Sequence, residues 1–347
     1  MNENNQYYDG TKLLSLTDAN GEKPEIFICT TNRSAGKTTY FGRLVVNRFL
    51  KNGKKFGLIY RYNYELDDCA GKFFKELSAL FFNCADMRSE RKASGVYHEL
   101  FLDDKPCGYA LSLNNADQIK KLSHFFSDID SLLFDEFQSE TNHYCPNEVQ
   151  KLISVHTSIA RGGGKQVRYV PIYMLSNAVS IINPYYTALN VSNRLSNGAK
   201  FIRGNGFVIE QGFIETASKA QKESGFNKAF SGDKYVEYST QNIYLNDNVA
   251  FVGTPDGKSR YICTIKYNGV EFGVREYADA GIIYCDDKPD TSFLVKVTVT
   301  TDDHDINYVM LKRNDVLLSM LRYYFERGCF RFKDLRCKEA ILKSLSY

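Results

Sequence analysis

The sequence predicts an α/β phosphate-loop domain on a mainly parallel sheet, then a linker or lid, then a smaller α+β domain. Three observations carry this. A short apolar strand runs into "SAGKTT" and on into a helical pattern. A second apolar strand ends in the acids Asp135 and Glu136. The last ~110 residues place short strands ahead of helices, the order of an α+β unit. The expected domains are residues 1–195, 196–234 and 235–347. A length of 347 residues suits two domains better than one.

The first element is "EIFICTT", Glu25 to Thr31, which is short and rich in Ile and Phe and reads as a buried parallel strand. Next comes the loop, and then "KTTYFGRLVVNRFLKNG", where Phe41, Leu44, Val45, Arg48 and Phe49 keep helical spacing and Gly53 offers a C-cap. A phosphate loop needs this strand–loop–helix context, because backbone N–H groups at a helix N-terminus attract the phosphate. The expected nucleotide contacts are Thr31, Asn32, Arg33, Ser34, Ala35, Gly36, Lys37, Thr38 and Thr39. Gly36 lets the backbone approach, Lys37 reaches the β- and γ-phosphates, and Thr38 places a hydroxyl on Mg²⁺. Thr31 stands where the pattern has its first glycine, and its β-branch restricts the turn.

From Phe41 to Tyr64 there are six basic residues and no acid, ending in "FGLIYRYNYEL" with Arg61 between two tyrosines. Cations among aromatics can grip a nucleic-acid backbone; a solvated helix face and strand edge is the other reading. Lys120-Lys121 is a weaker basic pair. "SLLFDEF" follows, Ser131 to Phe137: a strand-end Asp suits a Mg²⁺ shell, and the adjacent Glu can polarise an attacking water. "SIARGGGKQVR" reads as a loop carrying Arg161, Lys165 and Arg168, either an arginine finger or solvent-facing chain. "VPIYMLSNA", Val170 to Ala178, is a third strand, ending in Ser176-Asn177 where a γ-phosphate can be felt.

After Asn193 the chain is rich in Gly, Ser and Lys, with one helix expected over about Glu215–Phe226. From about Tyr235 "QNIYL", "SRYICTIKYNG", "VEFGVREY" and "AGIIYCDD" read as strands, with Asn268-Gly269 as a turn. A terminal helix carries Val316, Leu317, Met320, Leu321, Tyr324 and Phe325 as its apolar stripe. A two-metal nuclease needs converging carboxylates, whereas Asp286, Asp287, Asp302, Asp303 and Asp305 fall in loop-like runs, so nuclease activity is not expected.

Composition bounds the rest. Hydrophobic residues at 43% and charged residues at 24% describe a folded protein, and a net charge of +3 is too small to identify a nucleic-acid binder by itself. Nine cysteines stand singly, away from the five histidines and without a C-x-x-C pair, which argues against a zinc site and for a reducing compartment. The polar N-terminus and the lack of an apolar run of ~18 residues lead to a cytoplasmic expectation.

"SAGKTT", "RYNYEL", "LLFDEFQ", "YCPNEV", "LSNAVSIINPYY", and "YNGVEFGV" with "GIIYCDD" occur in one order along nearly the whole chain. In this the chain resembles the genome-packaging ATPases of small tailed double-stranded-DNA phages, the φ29-type motor proteins. The resemblance implies an additional-strand, RecA-like ATPase core related to large terminases, and a vestigial RNase H-like nuclease domain. It implies ATP and Mg²⁺ as cofactors, and a homomeric ring, expected to be a pentamer, at the portal vertex of a preformed capsid. Double-stranded DNA, portal and capsid are the implied partners, and in that family a structural RNA can bridge motor and capsid. The implied location is the infected cell's cytoplasm, transiently at the procapsid. By the resemblance, Lys37 and Thr38 match the phosphate and Mg²⁺ positions, Asp135 the metal-organising acid and Glu136 the catalytic glutamate. Asn177 matches the coupling position. Arg161 matches the arginine finger, with Arg168 as the alternative, and Lys120 or Lys121 a basic residue acting on the neighbour's site. Arg61 and Asn63 fall where the family faces DNA, Asn63 standing where a cation is expected. Three other readings compete: a phosphate-loop nucleotide or metabolite kinase, a packaging enzyme with a nuclease at Asp302 or Asp303, and an assembly protein whose loop binds no ATP.

Overall fold

The computed structural model describes residues 7–83, 85–141, 143–162, 166–196, 199–241 and 250–345. The chain divides into two units, Met1–Asn246 and Asp247–Tyr347.

The first unit is built on nine strands: β1 (Ile26–Thr31), β2 (Lys55–Tyr60), β3 (Met87–Lys92), β4 (Tyr97–Leu102), β5 (Lys105–Ser112), β6 (Ile129–Phe134), β7 (Ile172–Asn177), β8 (Phe201–Gly204) and β9 (Phe207–Gln211). Their order across the sheet is β3-β4-β5-β2-β6-β7-β1-β9-β8. The six strands from β5 to β9 run parallel. β3, β4 and β8 extend the two edges antiparallel. The feature that positions the site is β7. It pairs with β1 on one side and β6 on the other, so the loop strand and the acidic strand are not neighbours. This is the additional-strand arrangement.

The helix after β1, Lys37–Asn52, buries Phe41, Val45 and Val46 against Phe27, Leu133 and Tyr173. Each fully buried side chain of this kind stabilises by about 1.5–3 kcal/mol. Gly53 ends the helix in a left-handed conformation, φ 67°, and its N–H bonds the Phe49 carbonyl at 2.7 Å. The hairpin β4–β5 turns through Asp103 and Asp104, both at positive φ. Aspartate tolerates that region, so no glycine marks the turn.

The segment 196–234 is more than a linker. β8 and β9 join through Asn205-Gly206, with Gly206 at φ 77°, and bury Ile202, Val208 and Ile209 in the first unit's sheet. The expected helix appears as Glu215–Glu223, followed by Gly225–Ala229. Lys234–Gln241 is helical where strands were expected to begin, and residues 242–245 of "QNIYL" lie outside the described residues.

The second unit has six strands: β10 (Arg260–Tyr267), β11 (Val270–Tyr277), β12 (Ile282–Asp286), β13 (Lys296–Thr298), β14 (Val309–Met310) and β15 (Phe330–Phe332), in the order β14-β13-β10-β11-β12-β15. Asn268 and Gly269, at φ 51° and 74°, make the β10–β11 turn. Helices Asp315–Glu326 and Leu335–Leu345 complete an RNase H-like α+β unit. The stripe of the first helix is the expected one at Leu317, Met320, Leu321, Tyr324 and Phe325, but Leu318 replaces Val316 in it. Leu317, Leu318 and Leu321 are buried, while Val316 is 83% exposed. The acids of this unit are in structural contacts. Asp286 pairs with Arg275 at 2.9 Å, Asp287 pairs with Lys333 at 2.5 Å, and Asp303 accepts the Gly269 N–H at 2.8 Å. Among the described residues no three His, Cys, Asp or Glu side chains gather to hold a metal ion, and no helix is long and apolar enough to cross a membrane.

Candidate functional site

Thr31 does not distort the loop. It is the last residue of β1, paired in register with Asn177, and its buried hydroxyl donates to the Asn32 carbonyl at 3.0 Å. The positive φ angles come later, at Ser34 (59°) and Gly36 (87°). The turn therefore needs no glycine in the first position and does need one at the sixth. A Cβ on Gly36 would also stand 3.3 Å from the Tyr7 ring. The Tyr8 N–H ties the N-terminal segment to the loop through the Ala35 carbonyl at 2.7 Å, while the Tyr8 hydroxyl donates to buried Glu210 at 2.7 Å. From Gly36 a helix of 16 residues starts with no acid in its first turn, which leaves its N-terminal field open to an anion.

Lys37 is buried, and its ammonium donates to Asn177 Oδ1 at 2.7 Å. Burial lowers its pKa, and the nearby Asp135 charge opposes that. Thr38 is exposed and Thr39 half-buried at the start of the same helix. Across β7, β6 delivers Asp135 and Glu136. Glu136 has φ 53°, and its N–H bonds Asp135 Oδ1 at 2.9 Å. Glu136 is exposed. Desolvation first, then the charges of Asp135 and Glu140, raise its carboxyl above the usual range. Glu136 and Asn177 face a cavity of about 500 Å³ that Arg33, Glu140 and Ser176 also line.

Arg61 is buried rather than open to solvent. It is 7% exposed; its Nε pairs with Glu148 at 2.9 Å and its Nη2 donates to the Phe137 carbonyl at 2.8 Å. The same nitrogen lies 3.5 Å from the Glu136 carbonyl. Glu148 is completed by the Tyr185 hydroxyl and the Cys145 N–H, each at 2.7 Å. β2 ends beside β6, so a cation at this strand end falls under the acidic turn rather than into solvent. Glu148 and Tyr185, from "PNEV" and "NPYY", were not recognised as site residues from sequence. Their buried polar groups under the turn are what connects those stretches. Asn63 is exposed, with its amide tied to Asn115 at 2.9 Å.

Lys120 and Lys121 are exposed in the last turn of Ala116–Lys121. Arg161 is exposed beyond helix Glu148–Ile159, with Nε 3.3 Å from the Thr157 carbonyl. Arg168 is committed to the Ile129 and Ile159 carbonyls, at 3.2 and 2.8 Å. Lys165 lies outside the described residues.

A phosphate loop at the end of β1, with an acidic pair two strands away, defines an additional-strand phosphate-loop protein. The chain matches the podovirus DNA encapsidation protein (Gp16) family over residues 2–345, and belongs to it. It is 26% identical over 319 residues to the DNA packaging protein of Bacillus phage phi29, covering 91% of this chain and 90% of that one. With the DNA packaging protein of Bacillus phage B103 it shares 27% over 326 residues, covering 91% and 93%. Its fold is similar to a chain of the bacteriophage Phi-29 viral genome packaging motor assembly, with a TM-score of 0.70, 25% identity, and coverage of 99% and 98%.

Proposed function

We propose that this protein is an ATP-driven motor that moves double-stranded DNA into a preformed capsid, working as a homomeric ring, expected to be pentameric, at the portal. Family membership and the likeness to a motor-assembly chain support the packaging role. The observation that carries the chemistry is the cavity lined by Glu136 and Asn177, with Lys37 bonded to Asn177 at 2.7 Å. An incoming triphosphate competes with Asn177 for Lys37, so Asn177 registers whether the terminal phosphate is present. Glu136 orients the attacking water and accepts its proton. The exposed Thr38 hydroxyl and the Asp135 carboxylate are hard oxygen donors that fit Mg²⁺, which when bound neutralises phosphate charge.

Arg161 acts on a neighbour's site. Arg168, seven residues on, bonds the carbonyl of Ile129, the first residue of β6, while Asp135 follows its last. Six residues of strand span about 20 Å, beyond the reach of an arginine side chain. A ring supplies the missing cation from the next subunit. ATP hydrolysis by parent protein mixed with Arg161→Ala, with DNA and empty capsids, tests this. Activity falling more steeply than the parent fraction supports shared sites. Strict proportionality, independent of capsids, means each chain works alone and the motor reading fails.

A further inference from the structure

Glu140 lies outside the catalytic chemistry described so far, yet it joins three parts of the first unit. Its Oε1 accepts from Arg33 Nη2 at 2.7 Å, which ties it to the phosphate loop. The same oxygen accepts the Tyr238 hydroxyl at 2.8 Å, and Oε2 accepts the Tyr235 hydroxyl at 3.3 Å. Both tyrosines belong to helix Lys234–Gln241, and Glu140 itself follows the acidic turn by four residues. The Arg33 guanidinium also lies over the Tyr235 ring, 5.3 Å from its centre.

Arg33 is only partly satisfied there. It meets Glu140 through one nitrogen, while its Nε is buried without a hydrogen-bond acceptor among the described residues. A guanidinium fork prefers two parallel bonds to a carboxylate or phosphate. Arg33 also lines the cavity that Glu136 and Asn177 face, where the proposed function puts the terminal phosphate. Lys37 shows the same pattern one turn away, a loop cation resting on a protein acceptor at 2.7 Å.

We infer that Glu140 is a nucleotide-sensitive latch: a triphosphate takes Arg33 from it, and losing Arg33 loosens its hold on Tyr235 and Tyr238. The helix Lys234–Gln241, the last described element before the second unit, then reports the nucleotide state. The exchange needs the terminal phosphate, so a diphosphate leaves the latch closed. This rests on the proposed ATP binding and assigns a residue that carries its consequence away from the site.

The test combines nucleotide affinity with amide hydrogen exchange over residues 234–241, using a non-hydrolysable ATP analogue and ADP on the full chain. In the parent, the triphosphate speeds exchange in that helix and ADP does not. In Glu140→Gln, exchange is already fast without nucleotide, triphosphate affinity rises about fivefold or more, and ADP affinity is unchanged. If Glu140→Gln does not fold, Tyr238→Phe decides, because it removes the hydroxyl's ties to Glu140 and Asn177 and leaves every charge in place. Faster exchange without nucleotide is the expected result there, and parent-like exchange overturns the latch. A parent that binds the triphosphate with no change in the helix sinks the latch alone, as does weaker triphosphate binding by Glu140→Gln. A parent that binds neither nucleotide sinks the proposed function, and the latch with it.

Discussion

Two strands of this molecule end in paired acids, and the pairs have opposite fates. β6 ends into Asp135-Glu136, and β12 ends in Asp286 with Asp287 following. The second pair is neutralised by Arg275 and Lys333. Among the described residues no ion pair closes on the first. Glu136 is held in a left-handed backbone conformation, and its carboxyl is raised by desolvation. Arg61, under the turn, bonds the turn's carbonyls and gives its charge to Glu148 instead. One strand-end pair is thus closed by cations, and the other keeps its carboxylates open for the proposed chemistry.

The sharpest way to break this contrast is Glu136→Gln. Hydrolysis should fall about 10²–10⁴-fold, the usual worth of a positioned base, while nucleotide binding persists in a fluorescence titration. Parent-like turnover would remove Glu136 from the mechanism. Next in size is Arg61→Ala, which leaves Glu148 buried and unpaired. The expected cost is about 3–5 kcal/mol in urea unfolding. If stability is kept and only DNA-stimulated activity is lost, Arg61 is a DNA contact after all. The pH profile of hydrolysis sharpens the contrast further. A raised Glu136 protonates above the ordinary glutamate value of about 4.3, so turnover should fail as pH drops while the fold is still intact by circular dichroism. A profile that falls only with unfolding argues against a raised base. The smallest effect is expected for Asp287→Asn, about 0–1 kcal/mol of stability with hydrolysis unchanged, because a partly exposed pair contributes little.

The loop, its helix and the acidic strand are legible in sequence because each is local. Spacing, capping and a short apolar run contain the whole signal. The hairpin β4–β5 left no such trace, since Asp103-Asp104 turns without glycine and the run beside it is apolar on both faces. β8 and β9 were hidden differently. Short strands in a stretch rich in Gly and Lys look like linker until the sheet edge they join is known. Of the proposed site, the fold brings Lys37, Asp135, Glu136 and Asn177 near one another. Arg61 was harder to place because an arginine between tyrosines looks the same whether it faces solvent or a buried glutamate. Which it faces depends on Glu148, 87 residues away.

The strand β7 has a further consequence as a spacer. Neighbouring strands lie about 4.8 Å apart, so inserting one sets the lysine loop and the carboxylates about 10 Å from each other. Side by side, those opposite charges would close into a salt bridge and fill the pocket with themselves. Kept two strand spacings apart, they leave the gap that the proposed phosphate chain, ion and water need. The fold works here as a ruler that keeps the site from satisfying itself.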